Sequence, residues 1–133
     1  KGLYTLAWQV PGAAERWLAQ RGYEGLRGWG RQHPRIDDCV KDLSRPGRLT
    51  AGLNWYRANL RRVLFGSWEA CAVPTLGVWS SGDHFLAEDQ MRDSQQRMQA
   101  AWRYERIEKA GHWLPLEQPD RVAELALQWF AQH

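Results

Sequence analysis

Nowhere in the 133 residues is there an apolar run of about 18, so no membrane span is expected. Cysteine is scarce. Cys39 and Cys71 stand far apart with no CxxC or metal-ligand spacing, and they read as free thiols of a cytoplasmic protein, with a lone disulfide as the alternative. The opening residues Lys1-Gly2-Leu3-Tyr4 lack the basic, apolar, small-residue progression of a signal peptide. Internal repeats and low-complexity segments are absent. So is any RNA-binding or helix-turn-helix signature that would give the basic residues a nucleic-acid partner. His33, His84 and His133 share no ligand spacing with the cysteines, so neither a metal site nor a cofactor is expected.

What remains has ordinary globular composition, with 44% hydrophobic and 25% charged residues, enough for a real apolar core. The net charge of +3 hides an asymmetry. Residues 1–66 hold twelve Lys/Arg against five Asp/Glu, and residues 67–133 hold six against ten. The arginines of the first half, among them Arg31, Arg57 and Arg62, are scattered and read as a solvated surface. Nine tryptophans favour a deep aromatic-lined site over a flat charged one.

The periodicity also changes along the chain. Pro11-Gly12 precedes the helix formers Ala13–Ala19, and Gly22 to Pro34 is loop-like or loosely helical because of its four glycines. A short helix over 36–43 and a longer one over 49–64 follow. In the longer one Leu53, Tyr56, Leu60 and Val63 share a face. Val73 to Ser80 suits a buried parallel strand, Ala87 to Ala101 a polar helix with Met91 and Met98 on one face, and Trp102 to Glu108 a second strand. Pro119 opens a last helix with a Val122, Leu125, Ala126, Trp129 stripe. Strand, helix, strand, helix implies a parallel pair joined by a crossover. The expected architecture is α/β: two parallel strands with helices over 67–133, preceded by a helical segment over 1–66, with the boundary in 65–71.

Functional groups of open α/β sheets sit in loops at the carboxyl ends of strands. Two such loops are expected, and they carry Asp83 and His112. Alone, Asp83 is as readily a turn former after Gly82, and His112 a hydrogen-bonded structural histidine. Together, after successive strands, they form a carboxylate–imidazole pair suited to proton abstraction. Ser80 and Ser81 lack a GxSxG context and are not credible nucleophiles.

Trp79-Ser80-Ser81-Gly82-Asp83-His84-Phe85-Leu86 resembles the acid loop of α/β-hydrolases. Ala110-Gly111-His112-Trp113-Leu114-Pro115-Leu116-Glu117-Gln118-Pro119 is similar to their histidine loop. Tyr4-Thr5-Leu6-Ala7-Trp8-Gln9-Val10-Pro11-Gly12 and Leu53-Asn54-Trp55-Tyr56-Arg57 resemble the two cap motifs of epoxide hydrolases. The resemblance implies a helical cap over 1–66 and the C-terminal part of the hydrolase core over 67–133. It implies catalytic roles for Asp83, His112, Tyr4 and Tyr56, with Trp113, Trp8 and Trp55 lining the pocket. The substrate would be a small apolar epoxide, with water as co-substrate. No GxSxG, His-Asp-Trp nucleophile segment or His-Gly-x-Pro oxyanion loop is present, so the nucleophile is expected on a missing N-terminal core of the same protein. The chain alone is then expected to be inactive and poorly folded. A haloalkane or haloacetate dehalogenase, an esterase, and a non-catalytic truncated product stand as alternatives.

Overall fold

The computed structural model describes residues 4–30 and 32–133, so Lys1, Gly2 and Leu3 of the leader reading, and Arg31 of the arginine surface, lie outside the described residues. The chain divides into two compact units, the described residues up to Ser67 and Trp68–His133.

The first unit is helical: α1 Tyr4–Ala7, α2 Ala13–Trp29, α3 Ile36–Leu43 and α4 Arg48–Phe65. Pro11-Gly12 ends the opening segment, and Gly12 enters α2 with φ 76°, a left-handed conformation that suits a residue without Cβ. The glycine-rich stretch is more helical than its composition predicts. The break in α2 is confined to Gln20–Tyr23, where Arg21, Gly22 and Tyr23 all take positive φ, and the helix then resumes to Trp29. Gly25 makes this possible, because a Cβ there would lie 2.2 Å from the carbonyl oxygen of Trp17 in the first arm. Two arms of one helix thus pack closely across a kink, a long-range fit that local propensity does not encode. The core gathers Trp8, Ala14, Leu18, Leu26, Val40 and Leu53. On α4 the expected apolar face holds through Leu53 and Tyr56 but not at Val63, which is 62% exposed.

The second unit carries β1 Thr75–Ser80, α5 Glu88–Asp93, β2 Trp102–Ile107, α6 Leu114–Glu117 and α7 Pro119–Phe130. The two strands pair in parallel, Thr75 with Trp102 through Ser80 with Ile107. Gly77 is required where the Trp102 indole crosses β1, since a Cβ would sit 2.2 Å from that ring. The helix expected over 87–101 is shorter. It tightens into a 3₁₀ turn over Ser94–Arg97, and Met98 is extended and bridges Cys71, so Met91 and Met98 do not share a helical face. Leu125 and Trp129 of the α7 stripe are buried, and Leu125 joins Ile107, Ala110 and Leu114 in the core. The sheet ends at two strands among the described residues.

Candidate active site

Asp83 and His112 lie just beyond the carboxyl ends of β1 and β2, and backbone hydrogen bonds stitch their two loops together. Ser81 N–H donates to Ile107 O at 3.0 Å, Gly82 N–H to Ala110 O at 2.9 Å, and Lys109 N–H to Ser81 Oγ at 2.9 Å. Ser80 Oγ donates to Gly111 O. The close seam explains Gly82, because a Cβ there would lie 2.5 Å from Ala110 O.

Asp83 is buried. Oδ1 accepts the N–H groups of Phe85 at 2.7 Å and Leu86 at 2.9 Å, and Oδ2 lies 2.8 Å from His112 Nδ1. Burial pushes this carboxyl upward, but the bonds from His112, Leu86 and Phe85 outweigh it and hold it below its ordinary value. A carboxylate only accepts, so Nδ1 carries the proton and Nε2 is left as the acceptor able to take one from water. The imidazole is flanked by Phe85 and Trp113, with ring centroids 4.8 and 4.9 Å away. His84, next in sequence to the acid, is exposed.

In the helical unit Tyr4 and Tyr56 lie in one aromatic cluster, their ring centroids 6.5 Å apart, and Trp8 packs against both at 4.8 and 4.6 Å. Trp8 is only 4% exposed and lines two apolar cavities. The larger, of about 360 Å³, is bounded by Tyr4, Trp17 and Trp29 as well, and the smaller, of about 150 Å³, by Tyr56 and Trp29. Trp55 is 71% exposed and stands apart from this cluster.

Arg57 departs from the solvated surface expected of the basic half. Its guanidinium donates to both oxygens of Glu15, at 2.7 and 2.9 Å, and to the carbonyl of Trp8 at 2.9 Å, while Glu15 also accepts Gly12 N–H at 2.8 Å. The Arg57 bond is the main cause that lowers Glu15 to about 2, against the opposing effect of burial. This clamp ties the Tyr4–Trp8 segment to the helix carrying Tyr56. The partners lie 42 residues apart, so no local pattern announces them; the adjacency of Arg57 to Tyr56 within one motif was the available signal. Cys39 Sγ lies 3.5 Å from His33 Nε2, but among the described residues no three His, Cys, Asp or Glu are placed to hold a metal ion. No helix among them is long and apolar enough to cross a membrane.

No family model matches the chain. It is 37% identical over 94 residues to epoxide hydrolase 3 of Xenopus tropicalis, covering 68% of this chain and 24% of that protein. It is 28% identical over 137 residues to the AB hydrolase superfamily protein YfhM of Bacillus subtilis, covering 97% of this chain and 48% of that protein. In structure it is similar to epoxide hydrolase A of Mycobacterium thermoresistibile, with a TM-score of 0.69 and 21% identity over 95% of this chain and 51% of that one. The chain therefore spans half or less of the length of these curated relatives.

Proposed function

Since the chain belongs to the α/β-hydrolase fold superfamily and is epoxide hydrolase-like, we propose that it supplies the water-activating half of an epoxide hydrolase. The carrying observation is the 2.8 Å contact between Asp83 Oδ2 and His112 Nδ1, which leaves Nε2 as a free acceptor. In this reading a carboxylate outside the 133 residues attacks one carbon of the epoxide. The ring C–O bond breaks and an alkyl-enzyme ester forms. Tyr4 and Tyr56, on a cap formed by residues 1–66, donate hydrogen bonds to the epoxide oxygen and protonate it as the ring opens. His112 Nε2 then takes a proton from water, and the hydroxide attacks the ester carbonyl. The ester C–O bond breaks, His112 gives its proton to the departing diol oxygen, and the proton left on the regenerated carboxyl group returns to the tyrosine that protonated the epoxide oxygen. Asp83 holds the tautomer and stabilises the imidazolium formed in that step. No cofactor is called for.

Trp8 and Trp113 serve in this reading as apolar walls for the substrate. Trp55, exposed here, would serve only where further polypeptide covers it. The free thiols of Cys39 and Cys71 support a cytoplasmic location.

The cap tyrosines separate this reading from a dehalogenase or an esterase, because only epoxide opening needs a paired proton donor in the cap. In the complete enzyme Tyr56→Phe is expected to slow ester formation from a terminal aryl epoxide by on the order of 10²-fold. An unchanged rate of ester formation in that variant would remove Tyr56 from ring opening, and a complete enzyme that opens no epoxide would move the function to alkyl halides or carboxylic esters, to be tried in the same assay.

A further inference from the structure

His112 is held from two directions, and only one of them is Asp83. Glu117, at the end of α6, turns its carboxylate back onto the loop that carries the histidine. Its Oε2 accepts Gly111 N–H at 2.6 Å, and its Oε1 accepts Trp113 N–H at 3.1 Å. These N–H groups belong to the residues immediately before and after His112. We propose that Glu117 is a positioning residue that fixes the backbone on both sides of His112, and so sets where Nε2 meets the water and the ester. The inference rests on the reading that His112 activates that water.

Two observations converge on this role. First, the two acceptors of one rigid, planar group are spent on two donors that bracket a single residue. Such a clamp restrains the peptide planes on either side of the imidazole, and with them the origin of its Cα–Cβ bond. Asp83 alone grips a single ring atom, Nδ1, and one hydrogen bond there leaves the side chain able to swing about that contact. Second, the loop is built around the carboxylate. A Cβ on Gly111 would lie 2.8 Å from Glu117 Oε1 and 3.1 Å from Oε2, so glycine is what lets the backbone approach so closely.

A carboxylate differs here from its amide. Glutamine is nearly isosteric but presents one acceptor and one donor, so Glu117→Gln sets an NH₂ group against one of the two N–H donors. One side of the clamp is lost while the volume is kept. Misplacing a catalytic group by a fraction of an ångström to 1 Å is enough to cost one to two orders of magnitude in rate.

The two-step reaction makes the effect readable. Ester formation precedes any action of His112, whereas ester hydrolysis depends on it. In the complete enzyme Glu117→Gln is expected to lower kcat by on the order of tenfold, with KM falling in proportion and kcat/KM unchanged. Single-turnover kinetics should assign the loss to hydrolysis of the ester, with the rate of its formation retained. Gly111→Ala, which pushes on the carboxylate from the other side, is expected to give the same pattern and serves where Glu117→Gln does not fold. A merely structural role would instead lower the amount of competent enzyme, reducing kcat and kcat/KM together at constant KM. That outcome, or an unchanged kcat in a folded variant, overturns the proposal. His112→Gln run alongside separates the two levels. If it arrests ester hydrolysis while Glu117→Gln does not slow it, the brace alone is wrong; if it leaves hydrolysis intact, the underlying reading fails as well.

Discussion

At Asp83 three hydrogen bonds converge on one carboxylate, two backbone N–H groups on Oδ1 and the His112 imidazole on Oδ2. The arrangement is selective for an acceptor at both oxygens. In Asp83→Asn the amide oxygen would keep the Phe85 and Leu86 N–H groups, so its NH₂ would face Nδ1 and drive the proton to Nε2. The base would be lost with the fold intact. Ester hydrolysis in the complete enzyme is expected to fall by on the order of 10³- to 10⁴-fold, measured by single turnover. A loss below tenfold would mean that tautomer control is not what Asp83 supplies. This pair was legible in the sequence because each partner closes a strand and sits in its own flanking motif. Glu117 was not assigned a role: it stands inside the histidine motif, but its targets are main-chain donors, which a sequence does not display.

At the scale of elements, what the sequence could not display was pairing across distance. The kink of α2 depends on Gly25 passing the Trp17 carbonyl, and the early end of α5 on Met98 leaving the helix to bridge Cys71. Both are decided by tertiary contact rather than by periodicity, whereas α4 and α7, each with an apolar stripe, were legible from spacing. The Arg57–Glu15 clamp belongs to the same class and has a pH signature. Glu15 is lowered from 4.5 to about 2 in the fold, so its contribution is fully present above about pH 4.5 and is lost as pH falls through about 2. Glu15→Gln should therefore lower the melting temperature at pH 7 and narrow the gap from wild type as pH drops from 4.5 toward 2. An equal difference at both ends of that window would show that the clamp acts by shape and not by charge. Arg57→Lys should resemble Glu15→Gln, since an ammonium cannot make the paired contact and reach Trp8 O as well.

At the scale of the whole molecule the two-strand parallel sheet was expected from the strand, helix, strand, helix order. A sheet of two strands leaves edges with open N–H and C=O groups, and Val73, Leu127 and Phe130 of this unit are largely exposed. The 133-residue chain purified alone is accordingly expected to bind a hydrophobic dye, unfold with low cooperativity and turn over no epoxide. Cooperative unfolding together with measurable diol formation would show that the chain needs no further polypeptide.

The division of labour between ester formation and ester hydrolysis is open to one direct measurement. Complete enzyme carrying His112→Gln is mixed with a terminal aryl epoxide and its intact mass is followed with time. The predicted result is stoichiometric gain of one epoxide mass within seconds to minutes, persisting for hours, while the wild type returns to its unmodified mass once the epoxide is consumed. A His112→Gln protein that stays unmodified while it forms diol at the wild-type rate would contradict the assignment of His112 as the group that activates water.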